Sequence, residues 1–280
     1  MRRMGILLIC FGILLCFSSC EKSDESSALL EMICLDVGQG SSTLLRTPSG
    51  DVLIDAGTED GQDALCRRLK SLGVERLALL VLTHPDEDHI GGADGILEQF
   101  ETDAVWTNGY PAENESYDRL CDALGKLEMG STAVKTGDGI TLGAIHVTVL
   151  APLDEVADGN EGSLVLLLRC ADFGALMMGD VPSETELALV ETYGAEQLRA
   201  DLLCVGHHGS DTSTCEEFLN AVRPSYAVVS CGAGNAYGHP DGRTLARLEQ
   251  AGAEILRTDL EGDIVIRVYE NGFRVAEKAD

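Results

Sequence analysis

The sequence is short of positive charge. Its 280 residues include 20 lysines and arginines against 47 aspartates and glutamates, a formal net charge of −27 at pH 7. Scattered acidic residues solubilise a surface, but this excess also repels polyanions and excludes the broad basic stripe typical of non-specific nucleic-acid binding. A phosphate substrate would therefore have to be held by local cations, and metal ions are the obvious candidates.

Two other features are absent after Cys20. The seven later cysteines contain no Cys-x-x-Cys pair, so neither a zinc ribbon nor a regular disulfide framework is predicted. No later apolar run approaches the roughly 20 residues that span a bilayer, which excludes a multi-helical membrane channel in this part of the chain. Hydrophobic residues make up 45% of the sequence, enough to bury a sizeable core.

The N-terminus has the order typical of export. Two arginines precede the apolar run MGILLICFGILLCF, and two serines and Cys20 follow it. This order predicts a signal peptide over 1–19. The small residues before Cys20 resemble the lipobox of bacterial lipoproteins, which implies lipidation of Cys20 and attachment to the membrane at the cell surface. An ordinary secretory signal or an uncleaved anchor is the alternative. The polar EKSDESS segment predicts a flexible tether over 20–30.

The remainder of the chain alternates between strand and helix patterns. Apolar runs such as DVLIDA, LALLVLT and DLLCVG are separated by helix-like segments such as GQDALCRRLKSLG and PSETELALVETYG. Several of these helical segments end near a glycine, at Gly73, Gly194 and Gly252. The pattern predicts one α/β domain over 31–276, of the layered α+β kind, with helices outside packed sheets.

The segment THPDEDHIGG follows one of the apolar runs. It places His84, Asp86, Asp88 and His89 within six residues, so their side chains can converge on one or two cations. Imidazole nitrogen together with carboxylate oxygen suits Zn²⁺ or Mn²⁺ better than Ca²⁺. The alternative is a solvated acidic loop that contains histidines by chance.

Candidate ligands also follow two other strand-like runs. Asp180 comes after ALMMG, and His207 and His208 come after DLLCVG. A single aspartate after a strand is usually a turn residue, and a single histidine usually lies on the surface. Three such strand ends in one chain favour a dinuclear hydrolytic site, which needs carboxylates that can bridge two cations and histidines around them.

Eight blocks, in order, resemble a known family. They are CLDVGQGSS, VLIDAG, LTHPDEDHIGG, NEGSLVLLL, MMGDV, CVGHHGS, SCGAGNAYGHP and RTDLEGDIVI. From about residue 32 to about residue 269 the chain resembles the metallo-β-lactamase-fold hydrolases and, within them, the extracellular hydrolase domain of ComEC-type DNA-uptake competence proteins. The resemblance implies an αββα sandwich of two face-to-face sheets with helices on both outer sides, and a metal site along one edge.

The resemblance also implies two divalent cations, Zn or Mn, and a ligand set. The implied metal ligands are His84, Asp86, Asp88, His89, Asp180 and His207. His84 and Asp86 would hold one cation, Asp88 and His89 the other, and Asp180 would bridge them. His208 could exchange roles with His207. Asp86 stands where the family pattern His-x-His-x-Asp-His has its second histidine, and it is also a candidate catalytic residue.

Further residues in the matched blocks are candidates for supporting roles. Asp36 and Asp55 are expected near the metal edge, with Asp55 orienting a ligand histidine through its second nitrogen. Asn160 replaces a histidine common in the family, which leaves an open coordination position for substrate. Ser210 and Asn235 are candidate hydrogen-bond donors to a phosphate oxygen; their alternative role is to stabilise turns.

The function implied is that of a cell-surface, metal-dependent phosphodiesterase or nuclease. Two cations would activate a shared hydroxide and neutralise charge on the attacked ester, and a protonated His208 or His239 would assist the leaving oxygen. Extracellular single-stranded DNA is the expected substrate, and no obligate protein partner is inferred. Hydrolysis of a choline phosphate ester or a lactone is an alternative, as is a lipoprotein that binds a ligand without turnover.

Overall fold

The computed structural model describes residues 27–153 and 159–276. The predicted signal peptide, Cys20 and most of the predicted tether lie outside these residues. Two β-sheets pack face to face over a shared apolar core, and helices cover the outer face of each sheet. This arrangement confirms the αββα sandwich.

The first sheet contains the strands of the N-terminal half of the described chain, together with the last two strands at its C-terminal end. Its strands, in spatial order, are β16 (Gly272–Ala276), β15 (Ile264–Tyr269), β1 (Leu30–Cys34), β2 (Thr43–Thr47), β3 (Gly50–Ile54), β4 (Arg76–Leu82), β6 (Val105–Thr107) and β7 (Thr132–Ala133), with β5 (Glu101–Thr102) beside β4. The pairings from β16 to β3 are antiparallel, and β3, β4, β6 and β7 run parallel.

The second sheet is built from the C-terminal half. Its strands, in spatial order, are β14 (Glu254–Arg257), β13 (Tyr226–Val229), β12 (Leu202–Cys204), β11 (Phe173–Met177), β10 (Val165–Cys170), β9 (Ile145–Ala151) and β8 (Gly139–Leu142). Strands β11 to β14 are parallel. Their carboxyl ends therefore lie along one edge, where the connecting loops can form a site.

Side-chain alternation within the strands explains the layers. In β4, Leu79 and Val81 belong to the core between the sheets, whereas Leu80 and Leu82 pack under the first helix layer. Strand β10 divides in the same way between the inner core and the second helix layer. Successive residues of a strand point to opposite faces, so a continuous apolar run such as LALLVL fits a strand buried on both sides.

The helices lie in two outer groups. Those over the first sheet are α1 (Gln62–Ser71), α2 (Glu87–Ile90), α3 (Ala93–Gln99) and α4 (Glu115–Lys126), and those over the second are α5 (Ser183–Leu198), α6 (Glu216–Val222) and α7 (Gly242–Gln250). A short helix, α8 (Thr258–Glu261), follows β14. Among the described helices, none has the length and apolar character of a bilayer span.

Two of the three predicted glycine stops are found in the structure. Gly73 and Gly252 follow α1 and α7 with φ of 77° and 80°, the left-handed conformation that suits glycine after a helix. Gly194 also has a positive φ, 66°, but the helical segment resumes beyond it and reaches Leu198. The fifth helix is therefore bent at the predicted position and does not end there.

Candidate metal centre

Loops from both sheets meet at the carboxyl ends of their parallel strands. The loop after β4 carries the THPDEDHIGG segment, the loop after β11 carries Asp180, and the loop after β12 carries His207 and His208. Two overlapping groups of potential ligand atoms form there, with the atoms of each group within 4.8 Å of one another. They are His84, His89 and Asp180, and Asp88, His89 and His208.

Asp180 lies at the centre of this cluster. Its Oδ1 is 3.1 Å from His89 Nε2. Its Oδ2 is 3.5 Å from His208 Nε2, 3.8 Å from His207 Nε2 and 4.0 Å from His84 Nε2. The carboxylate is buried, and one oxygen faces His89 while the other faces the remaining histidines. This geometry suits a carboxylate that bridges two cations.

A second carboxylate, that of Asp55, contacts His89 on the side of the ring opposite to Asp180. Its Nδ1 lies 2.7 Å from Asp55 Oδ2, so the ring donates this proton to Asp55 and turns Nε2 towards the cluster. Asp55 in turn accepts hydrogen bonds from the backbone N and the hydroxyl of Thr83, at 2.8 and 2.9 Å. Such a partner sets the tautomer and orientation of a metal-binding histidine. Thr83 was not singled out in the sequence, although it directly precedes His84.

The side chain of His208 is more deeply buried in the cluster than that of His207. The side chain of His208 is buried, with Nδ1 2.9 Å from the carbonyl oxygen of Ser230 and Nε2 3.1 Å from Asp88 Oδ2. Its Nε2 also lies 3.3 Å from His89 Nε2. The Ser230 contact could not be found from sequence because it involves only a backbone oxygen. This geometry favours the alternative in which His208 takes the ligand role of His207.

His207 lies at the open side of the cluster. Its side chain is 28% exposed, and its Nδ1 lies 3.2 Å from the hydroxyl of Thr212. Its Nε2 is 3.5 Å from the side-chain nitrogen of Asn160. His207 therefore separates Asn160 from the cluster, and the position expected to be open for substrate is lined by both residues.

The remaining members of the acidic segment divide between the cluster and the surface. Asp86 Oδ2 lies 3.7 Å from His84 Nε2, with the side chain about half exposed. The side chain of Glu87 points away from the cluster and accepts a hydrogen bond from the backbone N of Glu59.

Two buried polar atoms in the cluster, His84 Nε2 and Asp180 Oδ1, make no hydrogen bond of good geometry among the described residues. Asp180 Oδ1 lies 3.1 Å from His89 Nε2 and faces that ring alone. Buried polar groups are nearly always paired, because leaving one unpaired costs about 1–3 kcal/mol. Divalent cations would satisfy both atoms, and the imidazole and carboxylate donors match Zn²⁺ or Mn²⁺. The residues present therefore fit a metal site.

Comparison with known proteins agrees with this geometry. The family model of the metallo-beta-lactamase superfamily matches residues 35–233, from the end of the first strand to the loop after β13. The chain belongs to this superfamily.

Within the superfamily, the curated relatives include competence proteins. ComE operon protein 3 of Bacillus subtilis (strain 168) is 32% identical over 261 residues, covering 86% of this chain and 33% of that protein. Competence protein ComA of Neisseria gonorrhoeae is 34% identical over 244 residues, covering 85% of this chain and 32% of that protein. The chain thus spans about a third of the length of these relatives.

A solved structure shows the same fold. The metallo-beta-lactamase fold protein YhfI from Bacillus subtilis aligns with a TM-score of 0.52 over 81% of this chain and 95% of that chain, at 12% identity. This level of identity is evidence about the fold alone.

Burial and charge pairing set the protonation of the metallo-beta-lactamase site when it holds no metal. Burial lowers the pKa of His84 to about 3, and His89 acts in the same direction. For His89, burial disfavours the charge, but Asp180 and Asp55 raise its pKa well above the ordinary value. The pKa of Asp180 is held well below its ordinary value, against the effect of burial, by His89 and His208.

In the second ligand group, Asp88, His89 and His208, burial and charge pairing again act in opposite directions on the pKa values. Burial opposes the charge on His208, yet Asp180 and the hydrogen bond to Asp88 raise its pKa. Burial acts to raise the pKa of Asp88, but the hydrogen bond from His208 and the charges of His89 and His208 together outweigh it and lower the pKa. Protons on His89 and His208 therefore neutralise the two carboxylates where cations would otherwise do so.

Three residues expected at the site have other partners. Asp36 is exposed, and its carboxylate accepts a hydrogen bond from the backbone N of Gly38 within its own turn. Ser210 Oγ pairs with the hydroxyl of Thr212. The side chain of Asn235 bonds four backbone groups of its loop. Asn235 therefore has no group left for a phosphate oxygen, and Asp36 orients no ligand.

The turn that contains Asp36 contributes through its backbone instead. A Cβ added to Gly40 would lie 2.4 Å from the carbonyl oxygen of Asp88. The same oxygen accepts a hydrogen bond from the backbone N of Ser41, at 3.0 Å. Gly40 thus allows this turn to pack directly against the metal-binding loop. This contact joins two segments that are distant in the sequence, so the glycine alone does not reveal it.

His239 lies beside the cluster, outside both ligand groups. Its ring centroid is 5.6 Å from that of His207. Burial and the neighbouring His207 lower the pKa of His239, so the ring is neutral at neutral pH when the site holds no metal. The expected role as a proton donor is therefore not supported in this state, although the ring is close enough to the site to contact a substrate.

Proposed function

We propose that this protein is a metal-dependent phosphodiesterase that cleaves single-stranded nucleic acid outside the cell membrane. The observation that carries the proposal is the position of the buried Asp180 carboxylate, within 4.0 Å of imidazole nitrogens of His84, His89 and His208. The curated relatives include competence proteins, which favours nucleic acid over other phosphate esters.

The ligand assignment follows from the number of available lone pairs. His89 Nε2 belongs to both groups of ligand atoms, but one imidazole nitrogen can bind only one cation. We assign His84 and Asp86 to one cation, and Asp88, His89 and His208 to the other, with Asp180 shared. Bound divalent cations, Zn²⁺ or Mn²⁺, would supply an activated water and neutralise charge on the phosphoryl oxygens.

The residues of the chain prepare this chemistry in three ways. Asp55 fixes the orientation of His89, and Asp180 would contribute its carboxylate to both cations. The half-exposed Asp86 and the exposed edge of His207 leave one side of the cluster open to a substrate. With a net charge of −27, phosphate binding would depend on the cations, so binding and catalysis would be lost together when metal is removed.

The location is a separate part of the proposal. The predicted signal peptide and the lipobox-like residues before Cys20 would place the domain outside the cell membrane and anchor it there by lipid. Metabolic labelling of the full chain with a fatty-acid analogue, compared with Cys20→Ala, would test the anchor. Labelling that is equal in the two chains would contradict it.

The activity test compares substrates at fixed metal. The full chain loaded with Zn²⁺ or Mn²⁺ is incubated with single-stranded DNA, duplex DNA, a choline phosphate ester and a lactone. We expect cleavage of single-stranded DNA and loss of that cleavage in Asp180→Asn. The control Asp172→Asn changes an exposed aspartate in the β10–β11 turn and should keep wild-type activity.

One observation favours a second candidate function. The acidic surface attracts a cationic substrate more than a polyanion, which fits the choline phosphate ester. Intact single-stranded DNA under both metals, together with cleavage of the choline ester, would replace the nuclease proposal with this one. Binding of substrates without cleavage of any would favour a ligand-binding lipoprotein.

A further inference from the structure

A row of aromatic rings leads from the metal centre to the surface. His207, whose Nε2 is 3.8 Å from Asp180 Oδ2, packs against His239 with ring centroids 5.6 Å apart. His239 in turn packs against Tyr237, with centroids 5.8 Å apart. Tyr237 forms the outer end of the row, and 71% of its surface is exposed. An aromatic ring this exposed gains little from folding, so its position beside the site calls for another explanation.

The loop that carries Tyr237 is held in one shape by Asn235. The side-chain nitrogen of Asn235 donates to the carbonyl oxygens of Gly232 and His239, at 2.9 and 2.6 Å. Its side-chain oxygen accepts from the backbone N of Tyr237 and of His239, at 3.2 and 3.0 Å. The ring of Tyr237 is therefore presented by a preorganised loop, which lowers the entropic cost of binding a ligand to it.

The two arginines on the helix after this loop already contact carboxylates or backbone carbonyl groups. Arg243, which follows this loop on α7, contacts the carboxylates of Asp211 and Asp241. Arg247, one turn later, donates to the carbonyl oxygens of Ser213 and Thr214. This side of the site thus offers little free positive charge to a phosphate backbone. A strand bound here would need a source of affinity that does not depend on charge.

From these observations we propose that Tyr237 is a substrate-binding residue on which an unpaired base of the cleaved strand stacks. This inference rests on the proposed function. Base–aromatic stacking tolerates any sequence and needs no positive charge, so it suits a strongly acidic protein. It also requires an exposed base face, which a duplex covers with its own neighbouring base pairs. Tyr237 would therefore favour single strands over duplexes.

The test uses two oligomers of equal length and charge. One is a fluorescently labelled oligothymidylate, and the other has abasic sites throughout. For the metal-loaded full chain, we expect Tyr237→Ala to raise KM for the oligothymidylate about tenfold, the scale of one base–aromatic stack, with kcat unchanged. KM for the abasic oligomer should be equal in wild type and variant. Tyr237→Phe keeps the ring and should restore the wild-type KM.

Equilibrium binding of both oligomers, followed by fluorescence anisotropy, is measured in parallel. The control Leu127→Ala changes a side chain that is 47% exposed and follows α4, away from the metal-binding loops, and should leave all constants unchanged. Cleavage with the same KM and Kd in wild type and Tyr237→Ala would overturn the stacking proposal and leave the proposed function standing.

Tyr237-dependent binding without cleavage would do the reverse, overturning the nuclease proposal alone. Absence of both cleavage and binding would overturn the two together.

Discussion

His89 and Asp55 form a buried pair in which the Nδ1 of His89 lies 2.7 Å from Oδ2 of Asp55. The two residues are 34 positions apart, on the loops after β4 and β3, which are parallel neighbours in the first sheet. Asp55 has a positive φ of 60°, a conformation that costs most residues energy but that aspartate and asparagine adopt more readily. The strand ends thus place a carboxylate behind the histidine shared by both ligand groups.

Loss of the Asp55 charge should weaken metal binding. Asparagine tolerates the same backbone conformation, so Asp55→Asn removes the carboxylate without adding strain. We expect metal affinity to fall roughly 10- to 100-fold, the range found when such a partner is lost, as measured by competition with a chelating dye. Asp36→Asn, on the exposed turn, serves as the control and should bind like wild type. Equal affinities in the two variants would contradict the role given to Asp55.

The two adjacent histidines should differ in metal content. His208→Ala removes a buried ligand atom that lies 3.1 Å from Asp88, and bound metal should fall from two ions per chain to about one or fewer. His207→Ala removes a partly exposed ring and should retain both ions. Elemental analysis after loading gives the content, and circular dichroism checks that both variants fold. Loss of metal in His207→Ala alone would restore the order expected from the sequence.

Metal binding should release protons at pH 7. Against the effect of burial, contacts with carboxylates raise the pKa values of His89 and His208 in the metal-free protein, which favours the protonated rings, and a cation that binds their Nε2 atoms displaces that proton. Affinity should therefore fall as the pH is lowered. Calorimetric titration in two buffers of different ionisation enthalpy measures the release. His146→Ala, which changes an exposed histidine on β9, should release as many protons as wild type, and identical heats in both buffers would contradict the prediction.

Gly40→Ala should destabilise the fold through the metal-binding loop. The added Cβ would lie 2.4 Å from the carbonyl oxygen of Asp88, and Gly40 has a φ of 135°. Strain and overpacking of this kind cost about 1–3 kcal/mol each. The control is Gly38→Ala, where φ is 77° and the Cβ would meet no atom within 4 Å, so only backbone strain applies. Urea denaturation gives the free energies of unfolding, and an equal loss in both variants would argue against the contact.

Much of the fold was predictable because its longer elements have strong patterns. Strands β4 and β10 are apolar on both faces, and the glycines after α1 and α7 mark helix ends. The elements missed were short or lay at the margins of the sheets: strands β5 and β7 have two residues each, and β8 and β16 contain no fully buried residue. A period of two cannot be recognised in two residues, and β8 and β16 each pack only two apolar side chains against the core between the sheets.

By itself the sequence determined the layers of the sandwich and the loops that carry the candidate ligands, because period and order along the chain are local properties. It could not choose between His207 and His208, since both have positive φ and their directions depend on Ser230, Thr212 and Asp88 from other loops. Nor could it show that the side chain of Asn235 makes its hydrogen bonds within its own loop, or that Tyr237 is exposed. These outcomes were decided by tertiary structure, because hydrogen-bond partners are set by which distant segments meet at the sheet edge.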